Sequence, residues 1–116
     1  MSTIFSKIIS GEIPSYKIAE DDKHIAFLDV MPLVKGHTLV VPKKETDLIF
    51  DLESDDYKEL WGFTQEIAKK IKKAVPCKRV GIAVVGLEVP HAHIHLIPLN
   101  SMDAVSYTHL RAHETR

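Results

Sequence analysis

Several features that mark secreted, membrane or nucleic-acid-binding proteins are missing from this chain. Cys77 is the only cysteine, so no internal disulfide can form and a disulfide-stabilised scaffold is excluded. The 15 basic and 16 acidic residues give a formal net charge of −1, which provides no general attraction to nucleic acid or anionic lipid. No apolar run approaches the roughly 20 residues of a membrane span, and the start of the chain lacks a signal-peptide pattern. We therefore expect a cytoplasmic protein with no nucleic-acid or membrane partner.

The chain has the size and composition of one globular domain. Its 116 residues are 45% hydrophobic and 27% charged, which allows one core and is too short for two domains. The last residues do not fit this pattern, because the run S-Y-T-H-L-R-A-H-E-T from Ser106 resembles a translated sequencing adapter. We therefore interpret residues 1–103 as the domain and 104–116 as a non-native tail, whose two histidines are left out of the functional argument.

Two helices are predicted from apolar spacing and capping residues. A short N-terminal helix begins after Ser2 or Thr3 as N-cap and stops at Gly11. A single helical turn is predicted over Leu48–Leu52. A long helix then begins at Ser54 as its cap and ends before a proline. Its apolar face, which must pack on another layer, is formed by Leu60, Trp61, Thr64, Ile67, Ala68 and Ile71.

Five segments have the apolar, β-branched character of strands and are separated by turn-forming residues. They are Tyr16–Ala19, Ile25–Leu28, Thr38–Val41, Arg79–Val85 and His91–Ile97. With the two helices, they predict an α+β fold in which the long helix covers one face of an antiparallel sheet of about five strands. The stretches 29–36 and 86–90 contain proline and glycine and are predicted to be loops.

The last predicted strand carries histidine at alternate positions, in the run H-A-H-I-H-L-I. Because alternate residues of a strand point to the same side, His91, His93 and His95 are predicted to share one face, about 6.6 Å apart at each step. Ala92, Ile94 and Leu96 would face the other side and pack against a helix.

Three interpretations of this histidine row remain open. It is a solvent-facing strand that happens to be rich in histidine, a metal site that takes a third ligand from elsewhere, or a catalytic site acting on phosphate. Imidazole is a nucleophile near neutral pH, and neighbouring imidazoles can stabilise the charge of a transferred phosphoryl group. No cysteine pair or acidic cluster in the sequence nearby completes a metal-ligand set.

The histidine run resembles the signature of the histidine triad (HIT) family. The segments I-F-S-K-I-I-S-G-E-I-P-S, E-D-D-K-H-I-A-F-L-D-V-M-P and K-G-H-T-L-V-V-P-K-K are similar to its Hint-like branch, and the similarity covers about Thr3 to Asp103. The resemblance implies a HIT-like fold, a homodimer and no cofactor. It also implies an enzyme that cleaves nucleotidyl conjugates, of purine nucleoside phosphoramidate or adenylate type, through a nucleotidyl-histidine. The alternatives are a nucleotide-binding regulator with little catalysis and a histidine-based metal-binding protein.

The family's residue roles carry over by matching positions. His93 corresponds to the nucleophile, His91 and His95 to residues that orient it and contact phosphate, His37 to a fourth histidine nearby, and Asp29 to the acid that binds the ribose hydroxyls. Residues that match the base-enclosing positions are Ile4, Phe5, Ile8, Ile13, Phe27, Leu28, Val30 and Leu39, and Glu88 and Val89 complete the substrate-binding set. His24 matches no family role and is predicted to lie on the surface.

This sequence departs from the family pattern at the site itself. Many relatives carry C-x-x-C and bind zinc where this chain has Thr3 and Ser6, so we expect no structural zinc and no metal ligand. The loop before the triad is shorter than in the Hint-like branch, and Ala83 stands where a phosphate-contacting asparagine is expected. Glu88 replaces a serine or threonine that assists the leaving group. These departures imply weaker activity or a different leaving group.

Overall fold

The computed structural model describes residues 3–101 as an α+β fold, as predicted. Helix α1 (Ile4–Ser10) is followed by strands β1 (Lys17–Glu20), β2 (His24–Leu28) and β3 (Thr38–Pro42), a single 3-10 turn (Ile49–Asp51), helix α2 (Ser54–Ala74) and strands β4 (Arg79–Ala83) and β5 (Ile94–Leu99). The tail 104–116 and the boundary at residue 103 lie outside the described residues. Within residues 3–101, no helix is long and apolar enough to cross a membrane.

Both helices form where predicted, although one cap differs. In α1, the Thr3 side chain accepts a hydrogen bond from the Ser6 backbone N–H, and Gly11 ends the helix in the left-handed conformation at φ 87°. In α2, the N-cap is Glu53, which makes no side-chain capping bond, so the prediction that Ser54 caps this helix is wrong. Ser54 is instead its first helical residue, and Asp55 and Asp56 provide the negative charge that stabilises an N-terminus.

The sheet is antiparallel with the strand order β1-β2-β3-β5-β4. The last strand begins at Ile94, so the prediction that it begins at His91 is wrong. Pairing between β3 and β5 stops at Val40–Ile94, and Pro42 uses its carbonyl to accept a hydrogen bond from the His91 ring. The backbone N–H of Ala92 donates to Thr46 instead of to a strand. The first two histidines of the row therefore lie in an irregular segment, and strand alternation does not describe them.

Side chains on the two faces of the sheet form separate cores. Along β3, Val40 belongs to the cluster under α2, whereas Leu39 and Val41 belong to the cluster that packs with α1. The α2 cluster includes Leu60, Ile67, Ile71, Ala92, Ile94 and Leu96, as the amphipathic pattern predicts. One core fixes α2 to the sheet, and the other fixes α1 beside the histidines.

His24 is buried, with only 4% of its surface exposed, so the prediction that it is a surface histidine is wrong. Its Nδ1 lies 2.9 Å from Oδ1 of Asp21, and its ring stacks on Phe63 with centroids 5.0 Å apart. The carboxylate and the aromatic ring satisfy the polar and apolar parts of the imidazole, which makes burial of His24 possible.

Candidate active site

Three elements bring four histidines together. His37 immediately precedes β3, His95 lies in β5, and His91 and His93 lie in the irregular segment before β5. The ring centroids of His93 and His95 are 5.1 Å apart, and those of His37 and His95 are 5.2 Å apart. The pairing of β3 with β5, in which Leu39 lies opposite His95, therefore assembles most of this cluster.

The backbone at Gly36 fixes the position of His37. Gly36 has φ 89°, and a Cβ added there would lie 2.9 Å from Cγ2 of Val75. Both the left-handed conformation and the close approach of α2's C-terminal end require glycine. The chain can then turn directly into β3, which carries the His37 ring into the cluster.

His91 is fully buried, and protein groups occupy both of its ring nitrogens. Its Nε2 lies 2.7 Å from the carbonyl oxygen of Pro42, and its Nδ1 lies 3.3 Å from Oγ1 of Thr3. A carbonyl oxygen can only accept, so Nε2 carries the proton and Nδ1 accepts from the threonine hydroxyl. This arrangement supports an orienting role for His91 more directly than a contact with phosphate.

The backbone carbonyl of His91 sets the protonation pattern of His93. Nδ1 of His93 lies 2.8 Å from this oxygen and must donate to it, which leaves the lone pair of the neutral ring on Nε2. The His93 ring is 5% exposed, and its centroid lies 4.8 Å from that of Phe5 in an edge-on contact. These buried surroundings thus hold a neutral imidazole with a lone pair on a fixed nitrogen.

Burial lowers the pKa of the His93 imidazole below its ordinary value, because charging the ring costs solvation. The bond to the His91 carbonyl and the negative charges of Glu88 and Asp29 oppose this shift, but burial prevails. At neutral pH the neutral form therefore dominates, and the Nε2 lone pair is available as a nucleophile.

We expect the imidazole of His93 to titrate in the folded protein with a midpoint below about 6.5, the ordinary value for histidine. The neutral fraction then stays nearly constant above pH 7 and falls as the pH drops through that midpoint. Nitrogen-detected NMR across pH 4.5–8 measures it, with His93→Gln assigning the resonance. A midpoint above 7 would mean that the charges of Glu88 and Asp29 raise the pKa of His93 more than burial lowers it.

His37 and His95 form a directed pair of hydrogen bonds beside the nucleophile. The backbone N–H of Leu33 donates to Nδ1 of His37 at 3.1 Å, so the His37 proton is on Nε2. Nε2 of His37 lies 2.9 Å from Nδ1 of His95 and donates to it. The neutral His95 ring therefore carries its own proton on Nε2 and presents a hydrogen-bond donor.

Asp29 lies at one side of the histidine cluster, next to His37. Its Oδ1 accepts from the backbone N–H of Met31 at 3.0 Å, and its Oδ2 lies 3.6 Å from Nε2 of His37. Its own N–H donates to the backbone carbonyl of His37 at 3.0 Å. These contacts hold a half-buried carboxylate next to the histidines, where it can accept hydrogen bonds from a ligand's hydroxyl groups.

Among residues 3–101, Asp29, His37 and His95 offer ligand atoms that lie within 4.8 Å of one another and could hold a metal ion. The hydrogen bonds favour a metal-free arrangement of this trio. Nε2 of His37, which faces the other two residues, carries a proton because the Leu33 N–H occupies Nδ1. A metal ion would have to displace that proton or turn the ring and leave a backbone N–H unpaired.

The apolar residues expected around a nucleotide base divide into two groups. Four of them, Phe5, Ile8, Phe27 and Leu39, are buried in the cluster next to α1, and Ile13 and Val89 pack against it. Leu28 is half-buried outside this cluster, Ile4 is exposed, and Val30 is 75% exposed. Glu88 is also exposed. Ile4 and Val30 can therefore contact only a ligand that lies at the surface.

Sequence reasoning missed two parts of this cluster. Ile25 and Val41 belong to the same apolar group. Ile25 alternates with Phe27 along β2 and Val41 alternates with Leu39 along β3, and this spacing could have predicted that they share a face. No sequence pattern could have predicted the contact of Thr3 with His91, because these residues are 88 positions apart. The assembled site offers a nucleophilic nitrogen, an adjacent N–H donor and a carboxylate, which suits attack on an electrophilic phosphorus.

Comparisons with known proteins show which family the chain is similar to. The HIT domain model matches residues 10–102. A HIT-like protein of Methanocaldococcus jannaschii is 43% identical over 105 residues, which cover 82% of this chain and 77% of that protein. An adenosine 5′-monophosphoramidase of Schizosaccharomyces pombe is 34% identical over 103 residues, with 84% and 74% covered. A crystal structure of a HIT family member from Bacillus subtilis superposes with a TM-score of 0.82 at 33% identity, covering 87% of this chain and 75% of that one.

Proposed function

Because this chain belongs to the HIT domain family, we propose that it is a nucleotide-binding hydrolase or transferase that cleaves nucleotidyl conjugates through a nucleotidyl-histidine intermediate. The observation that carries the proposal is the 2.8 Å bond from Nδ1 of His93 to the His91 carbonyl, which leaves a nucleophilic lone pair on Nε2. The phosphoramidase name of one relative supports purine nucleoside phosphoramidates as the substrate class. No cofactor is required.

In the first step, the Nε2 lone pair of His93 attacks the α-phosphorus of the conjugate. A new N–P bond forms, and the bond from phosphorus to the leaving nitrogen or oxygen breaks with its electron pair going to the leaving group, which takes up a proton from solvent. The Nε2–H of His95 donates to a phosphate oxygen as charge develops there. Because His93 attacks as a neutral ring, its lowered pKa favours this step at neutral pH.

In the second step, the oxygen of a water molecule attacks the same phosphorus and the water releases a proton to solvent. The N–P bond breaks with its electron pair returning to Nε2, and the nucleoside monophosphate leaves. Dividing one displacement into two is the benefit of covalent catalysis. We assign the ribose hydroxyls to the carboxylate of Asp29 and the base to the apolar cluster that contains Phe5, Ile8, Phe27 and Leu39. Neither group takes part in bond breaking, so binding and chemistry rest on different side chains.

Incubation of the purified protein with adenosine 5′-monophosphoramidate tests this function. We expect AMP to be released and a nucleotidylated His93 peptide to be detected by mass spectrometry after rapid acid quenching. Tight AMP binding without release would favour the regulatory alternative, for which Ala83 and Glu88 are the supporting features. About one zinc per chain, lost on mutation of His91 or His95, would favour the metal-binding alternative.

We expect Glu88→Ser to raise kcat/KM on neutral phosphoramidates about two- to fivefold, the effect that exposed charge pairs produce. The Glu88 carboxylate is exposed and close enough to raise the pKa of His93. Its loss removes repulsion toward phosphate and, at pH values near the His93 midpoint, also increases the neutral fraction of the nucleophile. When ionised, the carboxylate also cannot donate a proton to the leaving group.

Two comparisons make the Glu88 test specific. Glu66→Ser removes another exposed acid, on α2, and should leave the rate unchanged. Substrates with neutral and with cationic leaving groups show whether Glu88 repels the phosphate or binds a positively charged leaving group. If Glu88 binds a positively charged leaving group or acts as a base, Glu88→Ser lowers the rate, most strongly on the cationic substrate, and our interpretation is wrong.

We propose that the protein forms a two-fold homodimer through the edge of β4. Exposed apolar side chains follow this edge, namely Ile82, Val84, Val85 and Leu87, whereas the opposite edge, β1, carries the ion pair Lys17–Glu20. Apart from Arg79 at its start, β4 is an uncharged edge strand with apolar neighbours, which is suited to pair with its own copy. We expect Ile82→Lys to convert dimer to monomer in sedimentation equilibrium. Phe50→Lys, at an 83% exposed position elsewhere, should remain dimeric.

A further inference from the structure

The first turn of α1 lies against the histidine cluster. Thr3, the N-cap of this helix, is 8% exposed, and its Oγ1 lies 3.3 Å from Nδ1 of His91. Two residues later, the Phe5 ring contacts the rings of both His91 and His93, with centroid distances of 6.0 and 4.8 Å. A capping residue of a surface helix is seldom so buried, and its neighbours here are the groups that orient the nucleophile.

The hydrogen bonds around Thr3 have a fixed direction. The Pro42 carbonyl must accept from Nε2 of His91, which makes Nδ1 an acceptor. The Thr3 hydroxyl therefore donates its proton to Nδ1 of His91. A hydroxyl oxygen also has lone pairs, and here it accepts from the backbone N–H of Ser6 at 3.1 Å. One hydroxyl group thus caps the helix and binds the second ring nitrogen of a buried histidine, whose tautomer the Pro42 carbonyl sets.

The same contacts connect Thr3 to the nucleophile. The His91 ring is held at both nitrogens, which restrains the backbone of this residue between Thr3 and Pro42. The backbone carbonyl of His91 accepts the Nδ1–H of His93 at 2.8 Å. A shift or flip of the His91 ring would move this acceptor, and with it the direction of the Nε2 lone pair on His93.

We propose that Thr3 is a positioning residue, whose hydroxyl holds the orientation of the His91 ring and thereby the acceptor that aligns His93. The kinetic part of this proposal rests on the proposed function, whereas the hydrogen bond that holds His91 does not. Ser6 provides the matched contrast, since it forms the other half of the capping box. Its Oγ accepts from the Thr3 N–H at 2.7 Å and donates to the Thr3 carbonyl at 2.9 Å.

Three variants separate positioning from helix capping. Thr3→Val keeps the shape and removes the hydroxyl, Thr3→Ser keeps the hydroxyl, and Ser6→Ala weakens the cap from the other side. The readouts are kcat and KM on adenosine 5′-monophosphoramidate, and the nitrogen chemical shifts of His91, which report the hydrogen bond at each ring nitrogen. Thermal unfolding of each variant shows how much of the fold is retained.

We expect Thr3→Val to lower kcat about tenfold, the lower end of the effect of groups that orient a reacting residue, with KM within about twofold. Its His91 spectrum should show a changed Nδ1 shift, because that nitrogen loses its hydrogen bond, while Nε2 stays protonated toward the Pro42 carbonyl. Thr3→Ser should restore both, and Ser6→Ala should change neither. An unchanged His91 spectrum in Thr3→Val, or an equal kcat loss in Ser6→Ala, would overturn the proposal. If the wild type has no turnover, the proposed function fails, and the His91 spectra still decide the role of Thr3.

Discussion

His93→Ala is expected to lower kcat about a thousandfold or more, while the affinity for AMP stays within about threefold of wild type. Loss of a covalent nucleophile typically costs this much or more. The substitution removes the Nε2 lone pair, which the bond from Nδ1 to the His91 carbonyl keeps on one nitrogen. Binding survives because Asp29 and the apolar cluster around Phe27 do not depend on the His93 ring.

The His93 variant is measured by single-turnover AMP release and by calorimetric titration with AMP. His93→Gln is the control for cavity formation, because the alanine variant leaves a space beside Phe5, whose ring lies 4.8 Å away. Both variants should lack the nucleotidylated peptide that rapid quenching traps in the wild type. Turnover close to wild type in either variant would remove His93 from the role of nucleophile.

The second large effect is expected for His37→Leu, which should lower kcat/KM about a hundredfold. Nε2–H of His37 donates to Nδ1 of His95 at 2.9 Å and so keeps the His95 proton on the nitrogen assigned to phosphate. Without that donor, His95 can move its proton to Nδ1 and present a lone pair to the phosphate instead. Removing one donor that stabilises developing negative charge typically costs a hundred- to a thousandfold.

A buried histidine outside the cluster provides the matched control for His37. His24 is 4% exposed and bound to Asp21, so His24→Leu removes a comparable side chain without touching the His37–His95 hydrogen bond. It should cost stability and leave kcat/KM near wild type. His37→Gln, which can still donate from its amide, should retain more activity than His37→Leu. Equal activity in the leucine and glutamine variants would show that His37 does not act through a donated proton.

Local signals predicted the helices well, because their causes lie within a few residues. Thr3 and Gly11 delimit α1 through capping and a left-handed turn, and the apolar face of α2 follows from helical periodicity alone. The strands were predicted less accurately. Prediction placed the start of the last strand at His91, whereas Pro42, 49 residues away, binds the His91 ring and pairing begins at Ile94.

The residues of the cluster could be named from the sequence, but their bonding could not. The resemblance selected His37, His91, His93 and His95 by position, and alternation along a strand suggested that three of them share one face. In the structure, the His93 ring is instead held by the backbone carbonyl of His91, and the His95 ring by a hydrogen bond from His37, which is 58 positions away. His24 has no such positional match, and only the tertiary contacts with Asp21 and Phe63 explain why it is buried.

The central pairing of β3 with β5 also has a consequence for how the chain acquires its site. The β1–β2 and β2–β3 pairings join neighbouring segments, and such local contacts form quickly. The β3–β5 pairing must instead close a loop that contains all of α2, and long loop closures are entropically costly. We therefore expect the His37–His95 contact to form late in refolding, so that nucleotide affinity appears only after most of the helical signal has returned.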